Sequence, residues 1–159
     1  LPGHRHARRL RLDADRERGH LCDPARGRQQ RPEPAPRHDR DRDDHAMQIV
    51  AGQITVAAIA TMAEASFGDL VKAVVDVSRG LLAVDAGMHS DLEALLLDAG
   101  SRLGDLWGIN LYPELPGPDW LEFDSMINLR PSFGNRTRGV DDASTREAIV
   151  ELVGLLVRR

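Results

Sequence analysis

The sequence predicts an α+β domain over residues 47–159, with three helices on one face of a largely antiparallel sheet. Three observations carry this. Short runs such as Val71, Ala73, Val75 and Val77 set apolar residues at every second position, which is strand spacing. Other runs carry apolar residues at helical spacing, flanked by Ser, Thr or Gly at the points where a helix starts or stops. The order of these runs is β-α-β-β-α-β-β-α, and its adjacent strand pairs read as hairpins.

Residues 48–54 suit a short strand. Thr55 can cap a helix running to Phe67, with Ile54 and Ile59 as a hydrophobic staple and Gly68 as its stop. The strand at 71–77 turns through Ser78, Arg79 and Gly80 into a second strand at 81–85. Ser90 and Glu93 have the spacing of a capping box, and Leu92, Leu95, Leu96 and Ala99 form the apolar face behind it, with Gly100 beyond its end. Residues 106–112 and 120–129 read as two further strands joined by the turn-rich stretch 113–119. Ser144 and Glu147 cap a last helix that turns Ile149, Leu152, Val153 and Leu156 inward, and Arg158 and Arg159 complement its C-terminal dipole.

Residues 1–46 differ in kind. They hold 12 of the 21 basic residues and 9 of the 25 acidic ones, five of the six histidines, three closely spaced prolines and almost no aliphatic residues. Such a stretch cannot bury enough apolar surface to offset the entropy of ordering, so a disordered extension is expected. A basic nucleic-acid arm and a histidine metal tract are competing readings. We favour a mis-called start, with translation beginning at Met47, where regular patterning begins.

The remainder, 47–159, keeps 9 basic and 16 acidic residues, a formal −7. That balance argues against general nucleic-acid binding, which runs on excess positive charge. Cys22 is the single cysteine, so no internal disulfide forms, and a reducing, cytoplasmic setting is expected. No apolar run is long enough to cross a membrane as a helix.

Period-two reading gives three strands a polar face. Lys72 and Asp76 lie opposite the valines, Asn110 and Tyr112 opposite Trp107, Ile109 and Leu111, and Glu122, Asp124, Met126, Asn128 and Arg130 opposite Leu121, Phe123, Ser125, Ile127 and Leu129. A solvated sheet face explains this as readily as a binding face does. Arg130, Arg136 and Arg138 cluster in the next loop beside Gly134, Asn135 and Gly139, a composition suited to an anion, or to internal pairing with Glu122, Asp124, Asp141 and Asp142. His89 is the only histidine after residue 46 and could serve as a general base. Asp76, Glu122 and Asp124 are weak candidates for a base or an oxygen-rich cation site, and Ser125, His89 and Asp124 make a triad only on paper. No metal site is expected, and no phosphate-loop or dinucleotide motif is present.

Several blocks together have a familiar look. They are Phe67-Gly68-Asp69 with Val71-Lys72-Ala73-Val74-Val75-Asp76, His89-Ser90-Asp91 with Glu93, and Leu106-Trp107-Gly108-Ile109-Asn110-Leu111-Tyr112-Pro113. They continue with Glu122-Phe123-Asp124-Ser125-Met126-Ile127-Asn128, Arg130-Pro131, Gly134-Asn135-Arg136 and Arg138-Gly139. As a set they resemble a family of small bacterial and archaeal proteins catalogued as a domain of unknown function. The resemblance spans 47–159 and none of 1–46. It implies that the polar strand face and the arginine loop follow a family pattern, and it brings no activity, cofactor or substrate.

The leading functional expectation is a module that binds an anionic small molecule such as a nucleotide or phosphate compound. Arg130, Arg136 and Arg138 would hold the anion, and Asn110, Asn128 and Asn135 would orient it. The alternatives are a hydrolase using His89 or a carboxylate among Asp76, Glu122 and Asp124, and a protein-interaction module using the sheet face or an edge strand.

Overall fold

The computed structural model describes residues 46–159. The extension expected over 1–46, Ala46 apart, lies outside the described residues, as does Cys22. The chain forms strand β1 (Gln48–Val50), β2 (Ile54–Thr55), helix α1 (Val56–Ala65), β3 (Val71–Asp76), β4 (Leu81–Val84), α2 (His89–Asp98), β5 (Leu106–Leu111), β6 (Leu121–Glu122), α3 (Ala143–Leu156) and β7 (Val157–Arg158). Five strands make one sheet in the order β1-β4-β3-β5-β6, with every neighbour antiparallel. β2 and β7 make a separate two-stranded parallel pair. The α+β class stands.

The hairpin forms where period two and the turn residues placed it. Asp76 Oδ1 accepts hydrogen bonds from the Ser78 and Arg79 amides at 3.0 and 2.9 Å, and Gly80 takes φ +66°, a conformation open to glycine at little cost. Thr55 caps α1 as expected, its Oγ1 accepting from the Ala58 amide at 3.1 Å.

Helix placement differs from expectation. Ile59 and Ala63 of α1 and Ile149, Val153 and Leu156 of α3 pack against Val71, Ala73, Val75, Leu82, Val84, Ile109 and Leu111 on one sheet face. Leu92 and Leu96 of α2 instead cover Val74, Ala83 and Leu106 on the other face. That second face is polar at Lys72 and Asn110 but apolar at its far end, so α2 buries half of it and leaves the polar half open. Fully burying a leucine contributes about 1.5–3 kcal/mol, which Leu92 and Leu96 each add to this docking.

Other boundaries also shift. The strand expected at 48–54 breaks at 51–53, which sends β1 to the main sheet and β2 to β7. The residue capping α2 is Met88, with no side-chain cap bond, while Ser90 lies inside the helix and Glu93 pairs with Arg130. α3 is capped by Asp142, not Ser144. Arg158 pairs in β7 and does not close a helix.

The largest correction concerns the strand expected at 120–129. Only Leu121–Glu122 pairs with β5, and Met126–Asn128 forms a 3-10 turn capped by Ser125. Beyond Glu122 the place of a neighbouring strand is taken by one side chain. Asn128 Oδ1 accepts from the Gly108 amide at 2.8 Å, and its Nδ2 donates to the Gly108 carbonyl at 2.8 Å. Gly108 permits this close approach, since a Cβ there would fall 2.5 Å from Ser125 Oγ.

Candidate functional site

The antiparallel register sets Lys72 of β3 beside Asn110 of β5, and Asn110 beside Glu122 of β6, as one polar row across the open half of the sheet. Above this row lies a cleft of about 370 Å³. One wall is the start of α2, from Gly87 to Ser90, and the other is Asp124, Ser125, Met126 and Ile127 with Arg138. Leu70 closes one side.

Lys72 lines the cleft from one end of this row. It is the only lysine in the chain. Its Nζ donates to the Gly87 carbonyl at 3.0 Å and lies 3.8 Å from the Phe67 ring centroid. Among the described residues it has no carboxylate within ion-pair distance. Burial pushes its pKa below the ordinary lysine value.

His89 is buried, and its Nε2 stands 2.9 Å from the Ile109 carbonyl. A carbonyl only accepts, so Nε2 carries the proton and Nδ1 is the acceptor in the neutral ring. Burial, the largest influence, lowers the His89 pKa, and the Lys72 charge acts the same way. The Ile109 carbonyl, the Asp124 charge and the Asn110 side chain oppose it without prevailing.

Asn110 Nδ2 donates to Glu122 Oε2 at 2.9 Å and to the Asp124 carbonyl at 3.3 Å. Its Oδ1 is buried with no well-formed hydrogen bond, and its electrostatic partner is His89. Tyr112 donates its hydroxyl to the same Glu122 oxygen at 3.0 Å. Burial, reinforced by that bond and by the charges of Glu122, Asp69 and Asp124, raises the Tyr112 pKa and keeps the phenol protonated. Arg138 forks onto Asp124, with Nε 2.6 Å from Oδ1 and Nη2 2.9 Å from Oδ2. Both side chains are about half exposed, and such a pair contributes about 0–1 kcal/mol, so an anion in the cleft can compete for the guanidinium.

The α2 N-terminus adds positive potential. Met88 has no side-chain acceptor, and the first-turn amides of His89 and Ser90 receive no side-chain cap.

Of the residues singled out from sequence, the cleft gathers Asn110, Arg138, His89, Asp124 and Ser125, with Glu122 beside it through Asn110. The others stand elsewhere or are engaged internally. Asp76 closes the hairpin turn at the other end of β3. Asn128 is fully buried and also donates to the Arg138 carbonyl at 2.9 Å. Asn135 donates to the carbonyls of Asn128, Thr137 and Gly139 at 2.7, 3.0 and 2.8 Å and accepts from the Asp141 amide at 2.7 Å. Arg130 is paired with Glu93 and donates to the Leu103 and Leu106 carbonyls, which ties α2 to the entry of β5. Burial lowers its pKa, and Glu93 opposes that shift. Arg136 is exposed, and its backbone amide donates to Asp141 Oδ2 at 2.6 Å. Ser125 is buried, its Oγ accepting from the Ile127 amide at 3.4 Å, and no hydrogen bond joins it to His89 or Asp124.

Sequence reasoning put Lys72 and Met126 on polar strand faces but did not gather Lys72 with the apolar Leu70, Met88, Met126 and Ile127 in one cleft. The signal for Lys72 was present in its uniqueness among so many arginines. The uncapped start of α2 was masked by the capping-box spacing of Ser90 and Glu93, residues that serve other ends. Among the described residues no group of three His, Cys, Asp or Glu is placed to hold a metal ion. No helix among them is long and apolar enough to cross a membrane.

A family model described as a protein of unknown function, DUF5674, matches residues 48–156. No curated protein matches the chain, and no solved structure does.

Proposed function

For this chain, which belongs to the DUF5674 family, we propose a cytoplasmic binding domain that holds an anionic small molecule in the cleft between the α2 N-terminus and the Lys72–Asn110 row. The carrying observation is Lys72, a partly buried lysine with no carboxylate partner among the described residues, hydrogen-bonded to the Gly87 carbonyl just before a helix with no side-chain cap. Removing a cation from water without a counter-charge is unfavourable, and a bound anion relieves that cost. The helix dipole and exchangeable Arg138 add to the same field. The cytoplasmic assignment rests on the absence of any cysteine pair in the sequence, and fractionation of a tagged chain tests it.

The test is isothermal titration of the chain with inorganic phosphate, small carboxylates and nucleotides. Lys72→Gln is expected to weaken whichever anions bind by at least about tenfold, a loss of about 1.4 kcal/mol, with far-UV circular dichroism unchanged. Equal affinity in wild type and Lys72→Gln would remove the reading.

A hydrolase is the second reading. It is favoured by the neutral His89 ring, whose fixed tautomer leaves Nδ1 as an acceptor in a cleft that also holds Asp124. Turnover of ester or phosphoester substrates, lost in His89→Gln with anion binding retained, would favour it.

A further inference from the structure

We infer that the ligand of this cleft is an amphiphile with one anionic head and an unbranched apolar chain, an alkyl carboxylate or alkyl phosphate rather than a nucleotide. The inference rests on the anion site proposed above and specifies what fills the rest of it. The head would lie where Lys72 meets the α2 N-terminus. The apolar part of the lining is Leu70, Met88, Met126 and Ile127. Met88 and Met126 are 58% and 63% exposed on opposite walls, so two large apolar side chains face water at the mouth. Methionine is unbranched and polarizable, and adapts its shape to a chain lying against it.

Two features disfavour a nucleotide. No Phe, Tyr or Trp lines the cleft to stack a base, and the one ring there, that of His89, is buried with its Nε2 on the Ile109 carbonyl. Asp124 stands on the wall, so a polyphosphate that drew Arg138 away would leave that carboxylate unpaired beside its own negative charge. The cleft volume of about 370 Å³ is near the low end for small-molecule sites, which suits a short chain.

The experiment is calorimetric titration of the full chain with straight-chain carboxylates of two to ten carbons, the matching alkyl phosphates, inorganic phosphate and adenosine monophosphate. Each methylene buried should tighten binding about fourfold, levelling off once the chain outgrows the cleft. Whether carboxylates or phosphates bind more tightly identifies the head group. The double variant Met88→Gln, Met126→Gln is expected to reduce the gain per methylene. Affinity that is flat with chain length, or adenosine monophosphate binding more tightly than every alkyl phosphate, overturns the inference while leaving the anion site standing. No binding by any of these anions, phosphate included, overturns both.

Discussion

Asn128 shows how far one amide can replace an element. Its side chain holds both backbone groups of Gly108 in the protein interior and the part-buried Arg138 carbonyl. Removing it leaves the Gly108 carbonyl and amide without partners, while the Arg138 carbonyl keeps its bond from the Ser125 amide at 3.0 Å; each buried orphan costs about 1–3 kcal/mol. Asn128→Ala should therefore destabilise the domain by about 2–5 kcal/mol, measured by urea unfolding. Asn128→Asp should cost nearly as much, because it keeps the acceptor but sets a carboxylate against two carbonyls. A loss below about 1 kcal/mol for both variants would show that water replaces the amide. The sequence placed Asn128 on a strand as a ligand contact, since Asn at every second position with charged neighbours mimics a solvated strand. Its polar chemistry was legible. Its partner was not, because Gly108 lies twenty residues away and nothing local pairs the two. Asn135 misled in the same way, as its four hydrogen bonds are all to backbone groups of its own loop and the segment beside it.

Helix caps are the element-scale lesson, because two of the three differ from expectation in opposite senses. α2 begins without a side-chain cap where a capping box was expected, and this leaves its N-terminal field directed to the cleft. α3 begins with a side-chain cap two residues earlier than Ser144 suggested. Asp142 Oδ2 accepts from Ser144 Oγ and from the Thr145 amide and hydroxyl, the last two at 2.7 and 2.8 Å. The Ser144 bond, followed by those from Thr145, lowers the Asp142 pKa from 3.8 to about 2. The folded value is depressed, so the stabilisation is complete above the unfolded value of 3.8 and is lost as pH falls from there toward 2. Asp142→Ala should thus melt lower than wild type near neutral pH, and the gap should narrow through that acid window. Thermal melts at intervals from roughly pH 6 to 2 test this, because a loss of ordinary acid stability would move both proteins together. A gap independent of pH would show that the carboxylate form is not the cap. Sequence reasoning named Ser144, whose spacing to Glu147 matches a capping box, and spacing alone does not reveal that Asp142, two residues earlier, takes the role.

At the scale of the molecule, the class and order of most elements were legible, because period two and helical spacing are local properties of a chain. The side of the sheet taken by each helix is not local. Lys72, Asn110 and Glu122 made the second face read as solvated, while Val74, Ala83 and Leu106 on that face are the surface α2 covers. A face that is apolar at one end and polar at the other gives both a docked helix and an open cleft beside it. Among the described residues, both cores and the lining of the cleft fall between Ile49 and Val157. The residues before Met47 carry the Arg, Pro and His content that sets them apart, and the family match starts at Gln48. A chain of residues 47–159 should therefore fold with the same cooperativity as the full chain and melt within about 2 °C of it, a difference below about 1 kcal/mol at this size. It should also bind the same anions with equal affinity. A lower melting temperature would mean that the first 46 residues contribute contacts to the domain. An unchanged melting temperature with weakened anion binding would instead make those residues, with their 12 arginines, an electrostatic part of the site, and that outcome would call for salt titration of both chains to separate long-range attraction from direct contact.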